Sequence, residues 1–131
     1  MSAVDHANAA AEAIRSLNHA TLRIGDHDPG GYEWPSDVDA VLAELSVMAH
    51  RLQQAIWQAD RWLRREHDSG RVGHDQGKDV AAVVHATSIA LRDAHQDAGA
   101  LANSLDDARA HTNHLTGTDA AAVGETEGWT S

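Results

Sequence analysis

Apolar residues recur along this chain at alternating steps of three and four, the spacing of one helix face. The pattern is cleanest over residues 36–67, where Val38, Leu42, Leu45, Ala49, Leu52, Ile56, Ala59 and Leu63 follow one another without a break. Val41, Met48, Ala55 and Trp62 stand beside that line and broaden it. A stripe so wide suits a bundle with two neighbours better than a two-stranded seam. Residues 78–115 hold the same alternation through Val80, Val84, Thr87, Leu91, Ala94, Ala98, Leu101, Leu105, Ala108, Thr112 and Leu115, with Val83 beside it early on. Helices of about 30 and 38 residues would measure about 45 and 57 Å at ~1.5 Å per residue, and a short connection makes them antiparallel. Large residues of one can then fill the space left by Ala and Thr of the other. A weaker helix is predicted from Ala3 to Arg23, carrying Val4, Ala7, Ala11, Ile14, Asn18 and Thr21, with Leu17 and Leu22 at its side.

The punctuation agrees with this reading. Ser2 and Asp5 have the spacing of a capping box, and Gly25 is a natural stop. The segment 25–35 (GDHDPGGYEWP) holds both prolines, and Ser36 is the expected N-cap of the second helix, with Asp37 and Asp39 in the first turn. Residues 68–77 (DSGRVGHDQG) break the second helix, and the third opens near Lys78. After Leu115 the chain turns to Gly, Thr, Ala and acid and reads as a disordered tail with a lone Trp129. The expectation is an all-α, three-helix bundle dominated by a long, coiled-coil-like antiparallel hairpin. Its parts are an N-terminal helix (1–24) packed across the hairpin, an acidic loop (25–35), the hairpin itself (36–115, turn 68–77) and the tail (116–131).

Composition changes the picture in two ways. Hydrophobic residues make up 42% of the 131, but Phe is absent, there is one Tyr, and much of the apolar content is Ala. Such a core is thin, and small domains are marginally stable alone, so self-association is expected. The net charge of −10 is also unevenly placed. Residues 1–24 sum to zero, 36–67 to −1 and 78–115 to −2, and the remaining −7 lies in 25–35, 68–77 and 116–131. A surface that tracks phosphates needs clustered Lys and Arg, and only Arg61, Arg64 and Arg65 cluster, so direct nucleic-acid binding is not expected. With no cysteine there is neither a disulfide nor a thiolate metal site. No apolar run approaches the roughly 20 residues of a membrane span, and the N-terminus lacks the basic and apolar regions of a signal peptide, so a cytoplasmic location is expected.

Four features carry candidate chemistry. His111 and His114 share a helix face, and Asp26-His27-Asp28 and His74-Asp75 add nitrogen and oxygen donors. Zinc, however, needs three or four convergent ligands, and no His-Glu-x-x-His or Glu-x-x-His motif is present. The ten histidines fit a GC-rich coding sequence, as do abundant Ala, Asp, Gly and Arg and a single Lys. They could add up to ten positive charges as pH falls from about 7.5 to 5.5, which makes a pH response the second candidate. The third is the tryptophans. Trp62 belongs to the broadened stripe and reads as core, and Trp34 precedes the second helix, where it can fold back on the first turns. Trp57 lies off the seam among Gln53, Gln54, Gln58 and Arg61, the composition of an interface anchor, although packing against the first helix or loop would also explain it. The fourth is Arg61, Arg64 and Arg65, a docking site for an acidic partner or simply the complement of a helix C-terminus.

The stretch Trp34–Glu66, followed by a Gly/Arg/Asp loop and an Ala-rich helix, resembles small uncharacterised helical-hairpin proteins common in high-GC actinobacteria. The resemblance covers about residues 32–115, implies a helical hairpin, and brings no catalytic residues with it. The small secreted WXG-type hairpins place Trp-x-Gly in the turn between their helices. Here Trp34 is followed by Pro35 and Ser36, and the 68–77 turn has no Trp.

No nucleophile, base and orienting group can be assembled from these spacings, and no cofactor motif is present, so a non-enzyme without cofactor is expected. The expected function is protein–protein interaction, as an adaptor, assembly or regulatory subunit that binds itself or another protein. Trp57, Arg61, Arg64, Arg65 and Trp34 are the candidate contacts. A His/Asp metal-binding or pH-responsive protein is the alternative. A third reading is an acidic inhibitor that mimics nucleic acid, against which the charge lies on loops instead of a helix face.

Overall fold

The computed structural model describes residues 1–22 and 30–118. Among them are three α-helices, α1 (Ala3–Ala20), α2 (Pro35–Asp68) and α3 (Val80–Thr112), and no strand. The chain divides into two units, Met1–Val38 with Leu115–Ser131, and Asp39–His114.

In the first unit, α1 starts as its sequence dictates. The Ser2 hydroxyl accepts the Asp5 N–H at 3.1 Å while the Asp5 carboxylate accepts the Ser2 N–H at 3.0 Å. The backbone N–H of Ser2, then its hydroxyl, holds the Asp5 carboxyl below its usual pKa. The helix ends at Ala20, short of the expected Arg23, where the Thr21 hydroxyl turns back to the Leu17 carbonyl at 2.9 Å. Gly25, the expected stop, lies outside the described residues. No residue of α1 is buried. α2 starts at Pro35, not after a Ser36 cap. Proline suits a first helical position because the N–H it lacks would have no partner there. The Asp37 carboxylate accepts the N–H groups of Glu33 and Trp34, each at 2.9 Å, and those two bonds lower its pKa.

The second unit is the antiparallel hairpin of α2 and α3. α2 closes in a Schellman motif, with the Gly70 N–H on the His67 carbonyl at 2.9 Å and the Arg71 N–H on the Glu66 carbonyl at 3.0 Å. Gly70 sits at φ 76°, a conformation that a side chain would strain. The side chains of Arg71 and Glu66 lock over the same turn at 2.6 and 3.2 Å. α3 begins at Val80, two residues after Lys78, because Asp79 caps it by accepting the N–H groups of Ala81 and Ala82.

The seam between the helices differs from the expected stripe. It follows Asp39, Leu42, Ser46, Ala49, Gln53, Ile56, Asp60 and Leu63 on α2, and Val84, Ser88, Leu91, His95, Ala98, Ala102, Leu105, Arg109 and Thr112 on α3. Every second position of the α2 line is therefore polar. The reason is pairing. Asp39 accepts the Thr112 hydroxyl at 2.7 Å and an Arg109 N–H at 3.3 Å, and the Ser46 hydroxyl donates to Asp106 at 2.7 Å. The Gln53 amide reaches the His95 carbonyl at 3.0 Å, and the Ser88 hydroxyl donates to Asp60. Polar groups that satisfy one another across a seam can be buried at little net cost. Among the described residues the buried apolar side chains are Ala49, Val84, Ala98 and Ala102, all small. Only half of each apolar stripe enters this seam.

Candidate interaction surfaces

A two-helix seam has two flanks, and here they differ in chemistry. On the first, Trp57, Asp60, Leu91, Arg92, His95 and Gln96 line a half-open cleft of about 180 Å³. Trp57 is 46% exposed and carries the Arg61 guanidinium over its ring at 5.0 Å. Arg64 turns the other way, onto the Asp60 carboxylate at 3.2 Å, which is 4% exposed and already bonded to Ser88. The predicted arginine cluster is thus split by use. Arg61 stacks, Arg64 neutralises a buried acid, and Arg65 is an exposed residue of the last turn.

Trp57 and Arg92 each follow a seam residue and face the same cleft. Residues that precede seam residues therefore occupy the opposite flank on both helices. On α2 that flank holds Leu45, Met48, Leu52, Ala55, Ala59 and Trp62, and on α3 it holds Val83, Thr87, Ala90, Ala94, Leu101 and Ala108, with the polar Asp97 and Ser104 among them. The first set repeats the steps of three and four that the sequence marks as core. In the structure Trp62 is 57% exposed, Leu52 49% and Leu101 49%. The expectation that Trp62 is core is therefore wrong. The apolar stripe is wider than one partner helix can cover, and the hairpin packs along its edge. The sequence signal for this was the seven-residue spacing of Asp39, Ser46, Gln53 and Asp60, a polar line that an apolar count passes over.

Trp34, in the other unit, is exposed on its outer side. On another side it lies against Gly117, where an added Cβ would run into the ring. The chain after α3 supplies this neighbour.

The histidine candidates do not converge. His111 lies in the last turn of α3 and His114 just beyond it, both exposed. His74 Nδ1 accepts the Gln76 N–H at 2.9 Å and lies 3.6 Å from an Asp75 oxygen. Among the described residues no group of three or more His, Asp or Glu is placed to hold a metal ion, and Asp26-His27-Asp28 and Trp129 lie outside them. Nor is any described helix long and apolar enough to cross a membrane. Compared with known proteins, the chain matches no family model, no curated protein and no solved structure.

Proposed function

We propose that the chain is a non-catalytic helical interaction module, an adaptor, assembly or regulatory subunit, whose contact surface is the apolar flank of the α2–α3 hairpin. The observation that carries this reading is the exposure of Met48, Leu52, Trp62 and Leu101 along one side of a two-helix layer. Soluble proteins seldom leave a contiguous apolar patch of more than a few hundred Å² open unless something docks there. A helical layer with one apolar side is completed by further helices, as in a four-helix bundle. Trp57 with Arg61 remains a second, smaller contact on the other flank, of the aromatic and arginine composition that interfaces favour.

The test is a photo-reactive side chain placed at Leu52 and, as control, at Gln54, in the cells that make the protein. Gln54 is exposed and follows the seam residue Gln53 by one position, so it leans toward the cleft side. Adducts formed from position 52 and not from 54 are expected. Equal labelling from both positions, or none from either, would overturn the reading.

A further inference from the structure

Two independent features of the apolar flank select its occupant. The first is size. The exposed large residues of α2 on this flank are Met48, Leu52 and Trp62, whereas α3 presents Thr87, Ala90, Ala94 and Ala108 between Val83 and Leu101. Seam contacts put Ser46 level with Asp106, Gln53 with His95 and Asp60 with Ser88. Trp62 is therefore level with residues 86–88, beside the space left by Thr87 and Ala90. At the level of Trp62, bulk on α2 matches hollows on α3, but within one chain the two lie side by side and cannot fill each other. In a second copy turned face to face about a two-fold axis parallel to the helices, α2 of each protomer lies on α3 of the other.

The second feature is charge. The outer edge of α2 carries Arg51 and Arg65 with Glu44, the outer edge of α3 carries Asp93 and Asp107, and Asp97 stands on the adjoining flank. Arg51 is level with residues 97–99, so the same two-fold brings it within a turn of Asp93 and Asp97 of the other copy. Glu44 is level with Asp107 and forms the one like-charged level. The area is also sufficient. A strip ~30 Å long over two helices ~9 Å apart has a footprint on the order of 600 Å², near the ~800 Å² per partner of a stable interface.

We infer that the occupant is a second copy of this chain, docked as a two-fold face-to-face pair with α2 on α3 of the partner, Trp62 seated over Thr87 and Ala90, and Arg51 facing Asp93 and Asp97. The pair is isologous, so each contact occurs twice. The inference rests on the proposed interaction role, and the experiment separates the two.

The mass of the full chain is measured by light scattering over a dilution series at neutral pH and low salt, for the parent, Arg51→Glu, Asp97→Arg and the double variant. Both positions are exposed, and unchanged helicity by circular dichroism confirms that the hairpin folds. A dimer is expected. Each single reversal should weaken it roughly tenfold, through two lost attractions that become repulsions, and the double variant should recover most of that loss. Glu44→Lys should tighten the dimer several-fold. A dimer indifferent to the reversals, or a double variant as weak as both singles combined, overturns this arrangement and leaves the interaction role standing. A monomer at every concentration overturns the second copy. If position 52 still yields adducts in cells, the role survives with a different partner. If it yields none, the role falls as well.

Discussion

A glycine in the middle of a 33-residue helix is out of place by propensity, since it costs about 1 kcal/mol relative to alanine. Gly99 earns its place by what lies above it. A Cβ there would meet the Gln53 amide nitrogen at 2.5 Å, the group that bonds the His95 carbonyl. Gly99→Ala should be nearly neutral in the parent, because helix propensity gained is offset by a displaced hydrogen bond worth ~1 kcal/mol. In a Gln53→Ala background the same change should stabilise by about 1 kcal/mol. Urea denaturation of the four chains of this cycle measures the difference, and an equal gain in both backgrounds would refute the coupling. Asp60 and Ser88 invite the opposite experiment. Ser88→Ala alone leaves a buried carboxylate oxygen short of a donor and should cost about 1–3 kcal/mol. Replacing Asp60 by Leu together with Ser88→Ala should leave the hairpin about as stable as the parent, or more so, because a buried charge and its partner leave together. A large loss in the double variant would show that the pair contributes more than its mutual satisfaction.

At the level of elements, the turn and the far end of the hairpin make separate predictions. Gly70 at φ 76° is the hinge of the Schellman motif, so Gly70→Ala should destabilise by about 1 kcal/mol, read from the denaturation midpoint. Asp39 gives a pH dependence. The Thr112 hydroxyl, then the Arg109 guanidinium, holds its carboxyl below the usual value of 3.8. A lowered folded-state pKa means that the contribution is complete above the unfolded value and is lost as pH falls through the folded one. The stability difference between the parent and Asp39→Asn should therefore be constant near neutrality and shrink below about pH 4. A difference that persists to lower pH would show that the effect is packing rather than ionisation. The sequence made the helices themselves legible. The Ser2 and Asp5 box, the glycine-rich breaks and the long periodicities place all three within a few residues. The line along which α2 and α3 meet was not legible from apolar positions, because Ser46, Asp60 and Ser88 enter the seam by pairing with groups distant in sequence. For the same reason Trp62 reads as core while it stands exposed. Trp57 and Arg61 were legible as a surface pair, because an aromatic among glutamines lies off any apolar stripe.

Among the described residues the core is thin, Ala49, Val84, Ala98 and Ala102, and under the proposed pairing much of the stability would come from the second copy on the apolar flank. The melting temperature should then rise with protein concentration, by a few degrees over a tenfold range, since mass action stabilises a folded state that associates. In Leu52→Glu with Leu101→Glu, both exposed positions, the helicity should persist and the concentration dependence disappear. A melting temperature independent of concentration in the parent would count against self-association.

The polar crossings between α2 and α3 also fix the alignment of the two helices. If α3 slid along α2 by one heptad toward its N-terminus, Asp60 would face Ala81 and Asp39 would face Ala102 and Leu105. Two carboxylates would lose the donors that reach them from α3 at once, at a cost of ~1–3 kcal/mol each, while the small apolar residues would fit almost as well as before. Alanine-rich helices slip and exchange readily because one small residue is much like the next. Here that slip takes the α3 donors from two acids, so the register is set by side chains that contribute little net stability. A hairpin locked in this way gains little by trading α3 with a neighbour.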